Sequence, residues 1–307
     1  MEMTVIRPGM RTTVQDLGRP GHRASGVPLS GAMDPFALRL ANLLVGNEED
    51  AAALEFALAG PELEFSAETI VAAGGGDFGA LPLWRPVGVS AGARLDLGPA
   101  RSGCHGYLAV AGGIDVPPVL GSRSTLLSAG LGGFRGRALQ KGDVLRAAAG
   151  ERRLVGRWQA DTRILPAYSA APTVRILPGA QADQFDGMLL SAEFKVTARS
   201  DRMGVRLAGP PLTRNADNEL LSSGVAPGTV QVPPDGQPII LMADAQTIGG
   251  YPQVANVISV DLPLIAQLRP GDSVRFRQVS LAEAQDLVLT RERRLAVLRH
   301  GLAQKYR

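Results

Sequence analysis

The sequence predicts a mainly β protein built as two related halves, and three observations lead there. The 307 residues include 37 Gly and 22 Pro, which cut the chain into short runs of β-branched and aliphatic residues and leave room for few helices. The halves echo one another: VIRPG at Val5 and ILPG at Ile176, LAGPEL at Leu58 and LAGPPL at Leu207, KGDVL at Lys141 and PGDSV at Pro270. Unequal spacing between the echoes fits a duplicated domain with different insertions and not a solenoid. Barrels or sandwiches satisfy such short strands.

Two segments read as helices. Asp34 is an N-cap residue, Pro35 suits the first-turn position, ALRLANLLV follows, and Gly46 supplies a stop. From Leu281 to about His300 a second helix is expected, opened by a capping box of Ser280 and Glu283 and ended by Gly301. Between the halves, AAAGERRLVGRWQADTRILPAYSAA, Ala147 to Ala171, mixes charge, small residues and Pro as a linker does. A boundary near 160 divides the chain into residues 1–160 and 161–307.

Composition excludes several function classes. With 45% hydrophobic residues, 20% charged residues and a formal charge of +3, the chain is expected to bury a sizeable core. The basic cluster RERRLAVLRH reads as a solvated helix face and not as a nucleic-acid patch. Cys104 is the only cysteine, so neither an intrachain disulfide nor a thiolate cluster can form. No run has the length of a membrane span and the start lacks a signal-peptide pattern, which gives a cytoplasmic expectation with no membrane partner. Lysine is confined to Lys141, Lys195 and Lys305, so anions are expected to meet Arg or backbone amides. None of these lysines is flanked by methionines, so covalent biotin is not expected on this chain.

Known enzyme signatures are absent or out of context. Gly88 to Gly92 matches G-x-S-x-G, but strand-like RLDLG follows where a nucleophile elbow needs a helix. His22, His105 and His300 share no ligand spacing, so no metal site is expected. The glycine runs at Gly74 to Gly76 and Gly130 to Gly136 lack the G-K-[ST] of a phosphate loop.

The densest chemistry lies between Gly228 and Ala255. Val230 to Pro233 and Ile239 to Met242 read as strands of a hairpin turned by Pro234-Asp235-Gly236. The loop from Ala243 to Gln253 then sets Asp244, Gln246, Thr247 and Tyr251 beside Gly249 and Gly250, whose backbone can approach a ligand closely. Gln231 lies on the face opposite to Val230 and Val232, and binds substrate if that face lines a pocket or is filler if it meets water. Gln15 and Asp16, near Arg19, form either a side-chain-stabilised turn or part of a cleft. Arg202 either binds a carboxylate or phosphate in a bidentate manner or makes a surface ion pair.

The runs TVQDLGRPG at Thr13, SDRMGVRLAGP at Ser200, VQVPPDGQPIILMADAQT and GGYPQVANVISVDLPLIAQLRPGD identify the chain, from about Val5 to near Val279, as resembling the KipA family. That family is also described as biotin-dependent carboxyltransferases, allophanate hydrolase subunit 2, or the C subunit of 5-oxoprolinase. The resemblance implies a mainly β fold of two tandem cyclophilin-like β-barrel domains with a few helices. It implies one component of an ATP-dependent 5-oxoprolinase, inactive alone, acting with two partner proteins of that enzyme, its KipI-like B subunit and its A subunit, on a small molecule, with ATP and Mg as cofactors. Alternatives within the resemblance are carboxyl transfer to urea or a related amide from a separate biotin carrier, or non-catalytic regulation of a kinase-inhibitor-type protein. Asp16, Asp244 and Arg202 are then the catalytic candidates, and Gln15, Gln231, Gln246, Thr247, Gly249, Gly250 and Tyr251 the substrate-binding ones. The chain departs from the family where Lys or Arg commonly follows Gly-Gly-Tyr-Pro, having Gln253, and where Gln-Thr-Thr has become Gln246-Thr247-Ile248. The first change removes a cation, so either activity is altered or Arg202 supplies the charge.

Overall fold

The computed structural model describes residues 1–148, 158–216 and 220–305. Part of the expected linker, 149–157, lies outside the described residues, as does residue 219 at the start of the run ELLSSGVAPG. The chain forms two compact units: Met1–Arg19, Ser30–Leu165 and Glu292–Arg307 make the first, Pro20–Leu29 and Pro166–Arg291 the second. Two segments therefore differ from a simple division at 160. Pro20–Leu29 joins the second unit, where Arg23 donates to the Val225 carbonyl. Glu292–Arg307 joins the first, where Glu292 accepts two hydrogen bonds from Arg39, at 2.8 and 2.6 Å.

In the first unit the strands are β1 (Glu2–Arg7), β2 (Thr12–Gln15), β3 (Ala53–Ala57), β4 (Glu62–Phe65), β5 (Thr69–Asp77), β6 (Pro86–Val89), β7 (Arg94–Asp96), β8 (Ser102–Val110), β9 (Ile114–Asp115) and β10 (Val144–Ala147), with helix α1 (Pro35–Leu44). They pair antiparallel as two five-stranded sheets, β7-β4-β1-β10-β9 and β2-β3-β8-β5-β6. In β4 and β10 side chains alternate between buried and more accessible, as period-two strands with one covered face require. Met3, Val5, Leu63, Phe65 and Leu145 of one sheet share a core with Val14, Leu54, Phe56, Val71 and Leu108 of the other.

Helix α1 covers the second sheet and explains why β5 is buried at seven consecutive positions. The Asp34 side chain accepts from Ala37 N at 2.9 Å and Pro35 occupies the first turn, as the sequence predicts. Gly46, at φ 76°, follows the last turn. The glycine run of β5 serves this packing: a Cβ on Gly74 would lie 2.8 Å from the Trp84 ring and 3.0 Å from the Ala37 carbonyl.

The second unit contains β11 (Thr173–Pro178), α2 (Met188–Ser191), β12 (Phe194–Val196), β13 (Gly204–Ala208), β14 (Ser223–Gly224), β15 (Thr229–Gln231), β16 (Ile239–Leu241), β17 (Ile248–Gly249), β18 (Gln253–Val257), α3 (Leu262–Ala266) and β19 (Ser273–Gln278). Seven strands close a barrel in the order β11-β18-β15-β16-β13-β12-β19, completed by parallel pairing of β11 with β19. The internal echo is visible here: β1 and β11, which carry VIR and ILP, share one burial pattern along six residues. Each also pairs with the strand that follows its Gly-Asp dipeptide, β10 and β19. The barrel interior is apolar, with Val230, Ile240 and Val205 side by side across three strands, all at most 5% exposed.

Helix α4 (Leu281–Lys305) begins as expected, with Glu283 N donating to Ser280 Oγ at 3.1 Å. The Glu283 carboxylate pairs with Arg277 at 2.9 Å. The expected stop at Gly301 is corrected: the helix runs on to Lys305. Gly301 is not held in the left-handed region that ends helices, and Leu302 beyond it is buried, which rewards another turn. A Cβ at Gly301 would meet nothing within 4 Å. Gly301→Ala is therefore expected to raise unfolding free energy by about 0.5–1 kcal/mol. Urea denaturation checks this, and a loss of stability would show that the glycine has a conformational role.

Candidate functional site

The site grows from the outer face of the second unit's barrel. Antiparallel register sets Gln231 of β15 opposite Ile239 of β16, and Ile239 opposite Arg206 of β13. Directly opposed residues project to the same face, so these three side chains form a row across the sheet. Beside them Leu241 stands opposite Gly204, whose missing side chain leaves room: a Cβ there would lie 2.9 Å from Ile239 Cγ2. Ile239 packs on Val225, Leu241 and Ala245 and forms an apolar floor. Over this surface lies a cleft of about 320 Å³ whose lining includes Gln231, Gln246, Tyr251, Arg199 and Arg206. The face carrying Gln231 thus meets a cleft.

A short amide network holds one end. The Gln246 Nε2 donates to Gln231 Oε1 at 3.3 Å, and Gln231 Nε2 donates to the Tyr251 carbonyl at 3.4 Å. Gln231 is only 1% exposed, so its orientation is fixed by these partners. Gly249 is required by this contact, since a Cβ on it would fall 2.5 Å from Gln231 Nε2. Gly249 lies in strand β17, paired with β14, so the expected loop is partly sheet. Gly250 and Tyr251 line a second cleft of about 560 Å³, with Pro233, Pro252 and Phe185, so the half-exposed Tyr251 borders both clefts. Thr247 lines neither; its carbonyl accepts from Val225 N at 3.1 Å.

Arg202 and Asp244 are brought together, but with each other. Arg202 Nε donates to Asp244 Oδ2 at 2.7 Å and its Nη2 to Oδ1 at 2.9 Å, a bidentate pair with exposures of 4% and 6%. Asp244 N also donates to the Arg202 carbonyl at 2.9 Å. This geometry spends the guanidinium and the carboxylate internally, so Arg202 positions the turn that carries Gln246 and is not the substitute cation. Gln253, at the position where a cation is absent, donates from Nε2 to Ser223 Oγ at 2.9 Å and to the Gly224 carbonyl at 3.2 Å. It fastens β18 to β14.

In the first unit Gln15 and Asp16 are buried. Asp16 Oδ1 accepts from Gly18 N at 2.8 Å, from Ser122 Oγ at 2.7 Å and from Ser124 Oγ, and Oδ2 accepts from Arg123 N at 2.5 Å. Four donors nearly fill a carboxylate, so Asp16 organises its own turn and the loop at Ser122 to Ser124. Gln15 Nε2 donates to Thr13 Oγ1 at 3.0 Å and the Thr125 carbonyl at 3.1 Å. Arg19, fully buried, donates to the Ser124 carbonyl. A further polar cluster escaped the sequence: Tyr107 OH donates to Glu55 Oε2 at 2.7 Å and accepts from Asp34 N at 2.8 Å. Burial, reinforced by the Glu55 charge, pushes the Tyr107 hydroxyl well above its usual range, so it stays a proton donor that fixes the start of α1.

Among the described residues no three His, Cys, Asp or Glu side chains converge to hold a metal ion. No described helix is long and apolar enough to cross a membrane.

The structure is a β-rich fold with an amide-lined cleft on the second unit's barrel. Residues 25–278 match the family described as "Carboxyltransferase domain, subdomain A and B", and the chain belongs to that family. It is similar to the 5-oxoprolinase C subunit of Escherichia coli, 44% identical with 92% of this chain and 93% of that one covered. It is likewise similar to the same protein of Haemophilus influenzae, at 41% identity with 90% and 91% covered. Among solved structures, the Kluyveromyces lactis urea carboxylase superposes with a TM-score of 0.90 at 32% identity. That match covers 98% of this chain but 29% of the larger one, and the K. lactis urea amidolyase gives 0.90 at 31% identity with 97% and 20% covered.

Removing Asp244 leaves the Arg202 guanidinium buried without its bidentate acceptor. Asp244→Ala is expected to cost about 3–5 kcal/mol, whereas Gln246→Ala, at a half-buried site, should cost under about 1 kcal/mol. Chemical denaturation of both variants checks this, and equal stabilities would show that the ion pair does not secure the turn.

Proposed function

We propose that this chain is the C subunit of an ATP-dependent 5-oxoprolinase, acting with the KipI-like B subunit and the A subunit of that enzyme to open 5-oxoproline to L-glutamate. The observation that carries this reading is the Gln231–Gln246 amide pair at the cleft, in a chain alike over nearly its full length to two proteins named as 5-oxoprolinase C subunits. A lactam offers one carbonyl acceptor and one N–H donor. Each glutamine amide has two donors and a carbonyl, and their mutual network uses one donor of each. The remaining N–H groups and the Gln246 carbonyl complement a lactam edge, while Ile239 and Leu241 receive its ring carbons. Holding the ring in one orientation lowers the entropic part of the barrier.

The two carboxylates expected to position a metal, Asp16 and Asp244, are already engaged within this chain. Asp16 is filled by its own donors and Asp244 by Arg202, and among the described residues no three His, Cys, Asp or Glu side chains converge. Activation of the amide is accordingly assigned to the partner chains, in keeping with an expected cytoplasmic heteromeric complex. A second reading, carboxyl transfer to urea or a related amide from a separate biotin carrier, is supported by the likeness to the K. lactis urea carboxylase.

The decisive assay measures glutamate release from 5-oxoproline with ATP and Mg²⁺, using this chain alone and with both partner proteins. Turnover is expected only in the reconstituted mixture. In it, Gln246→Ala should lose about 0.5–1.5 kcal/mol of binding or transition-state stabilisation, a two- to tenfold fall in kcat/KM. Robust turnover by the isolated chain, or carboxylation of urea in place of lactam hydrolysis, would overturn the proposal.

A further inference from the structure

Arg202 is held by Asp244 and Gln253 by β14, so neither presents a cation to the cleft. Arg199 and Arg206 both line the cleft, both are exposed, and neither side chain makes a hydrogen bond or ion pair among the described residues. Other strand arginines differ: Arg7, Arg94, Arg175, Arg275 and Arg277 each pair with a carboxylate. Two acidic residues share the cleft but are engaged by their own turns. Asp201 Oδ1 accepts from Met203 N at 2.8 Å and Gly204 N at 3.2 Å, and Asp235 Oδ1 accepts from Gln237 N at 3.0 Å.

We infer that Arg206, assisted by Arg199, is the specificity-determining residue that takes the carboxylate of an amide substrate whose amide end is held by Gln231 and Gln246. The register fixes the spacing. Gln231 and Arg206 stand two strands apart with Ile239 between them, so their Cα atoms are roughly 10 Å apart, twice the interstrand distance. Both side chains stand on the same face and line one cleft, with the apolar Ile239 between them. A compact molecule with an amide at one end and a carboxylate on a neighbouring carbon can engage both residues across Ile239. An uncharged amide of the same ring size would engage only the glutamine end. The guanidinium suits a carboxylate through two parallel N–H donors, a geometry that lysine cannot supply.

The inference rests on the cleft being the substrate site of the 5-oxoprolinase reading, so the test separates the two. In the reconstituted complex, KM is measured for 5-oxoproline and Ki for 2-pyrrolidinone, the same lactam without a carboxylate, for wild type, Arg206→Gln, Arg206→Lys and Gln246→Ala. Arg206→Gln is expected to raise the KM for 5-oxoproline by about tenfold or more, the worth of a hydrogen-bonded charge, and to leave the Ki for 2-pyrrolidinone unchanged. Arg206→Lys should restore part of the loss, and Gln246→Ala should weaken both ligands. If Arg206→Gln keeps the wild-type preference while Gln246→Ala weakens both ligands, the cleft is the site and the role of Arg206 is wrong. If no variant moves either constant, the cleft reading and this inference fail together.

Discussion

The Arg202–Asp244 pair lies where the approach to β13 meets the turn leaving β16, and the arrangement of the cleft depends on it. Its two parallel hydrogen bonds, with the backbone bond from Asp244 N to the Arg202 carbonyl, fix the turn two residues before Gln246. Gln246 in turn donates to Gln231, and Gln231 to the Tyr251 carbonyl. A buried pair of this kind gives little net stability over an apolar replacement, because desolvation offsets most of the attraction. What it adds here is direction: a bidentate fork admits one geometry, and the amide groups downstream inherit it.

The remaining features of the second unit follow from leaving space beside that network. Gly249 lets Gln231 approach the chain closely, and Gly204 lets Ile239 pack closely against β13. In the interior, Val205, Val230 and Ile240 close the barrel with no polar group among them. The first unit shows the same economy with a different polar centre. There Asp16 gathers Gly18, Ser122, Arg123 and Ser124, so its loops are held by hydrogen bonds to one carboxylate.

Local chemistry was legible in the sequence wherever its partners lie close along the chain. The Asp34–Pro35 helix start, the Ser280 cap and the Pro-Asp-Gly hairpin each depend on residues two to four positions apart. The mainly β architecture and the echo between β1 and β11 were legible for the same reason. Roles set by distant partners were not. Nothing near Asp16 announces Ser122 or Ser124, more than a hundred residues away, and nothing near Arg202 announces Asp244 as its acceptor. Arg206 escaped notice because its place opposite Ile239 is a matter of register, which only the paired strands reveal. Gly301 misled for the opposite reason: a glycine stops a helix only when the backbone turns left-handed there, and packing of Leu302 carries the helix onward.

The proposed function places the lactam at the Gln231–Gln246 amide network. It is tested most directly by recording the side-chain NH₂ resonances of these glutamines in the ¹⁵N-labelled chain, within the assembled complex, during titration with 5-oxoproline. With the lactam bound there, the Gln231 and Gln246 side-chain signals shift together and saturably, and the Gln253 side chain, which is tied to β14, stays unmoved. Saturable shifts confined to other parts of the chain, with both of these glutamines silent, would contradict it.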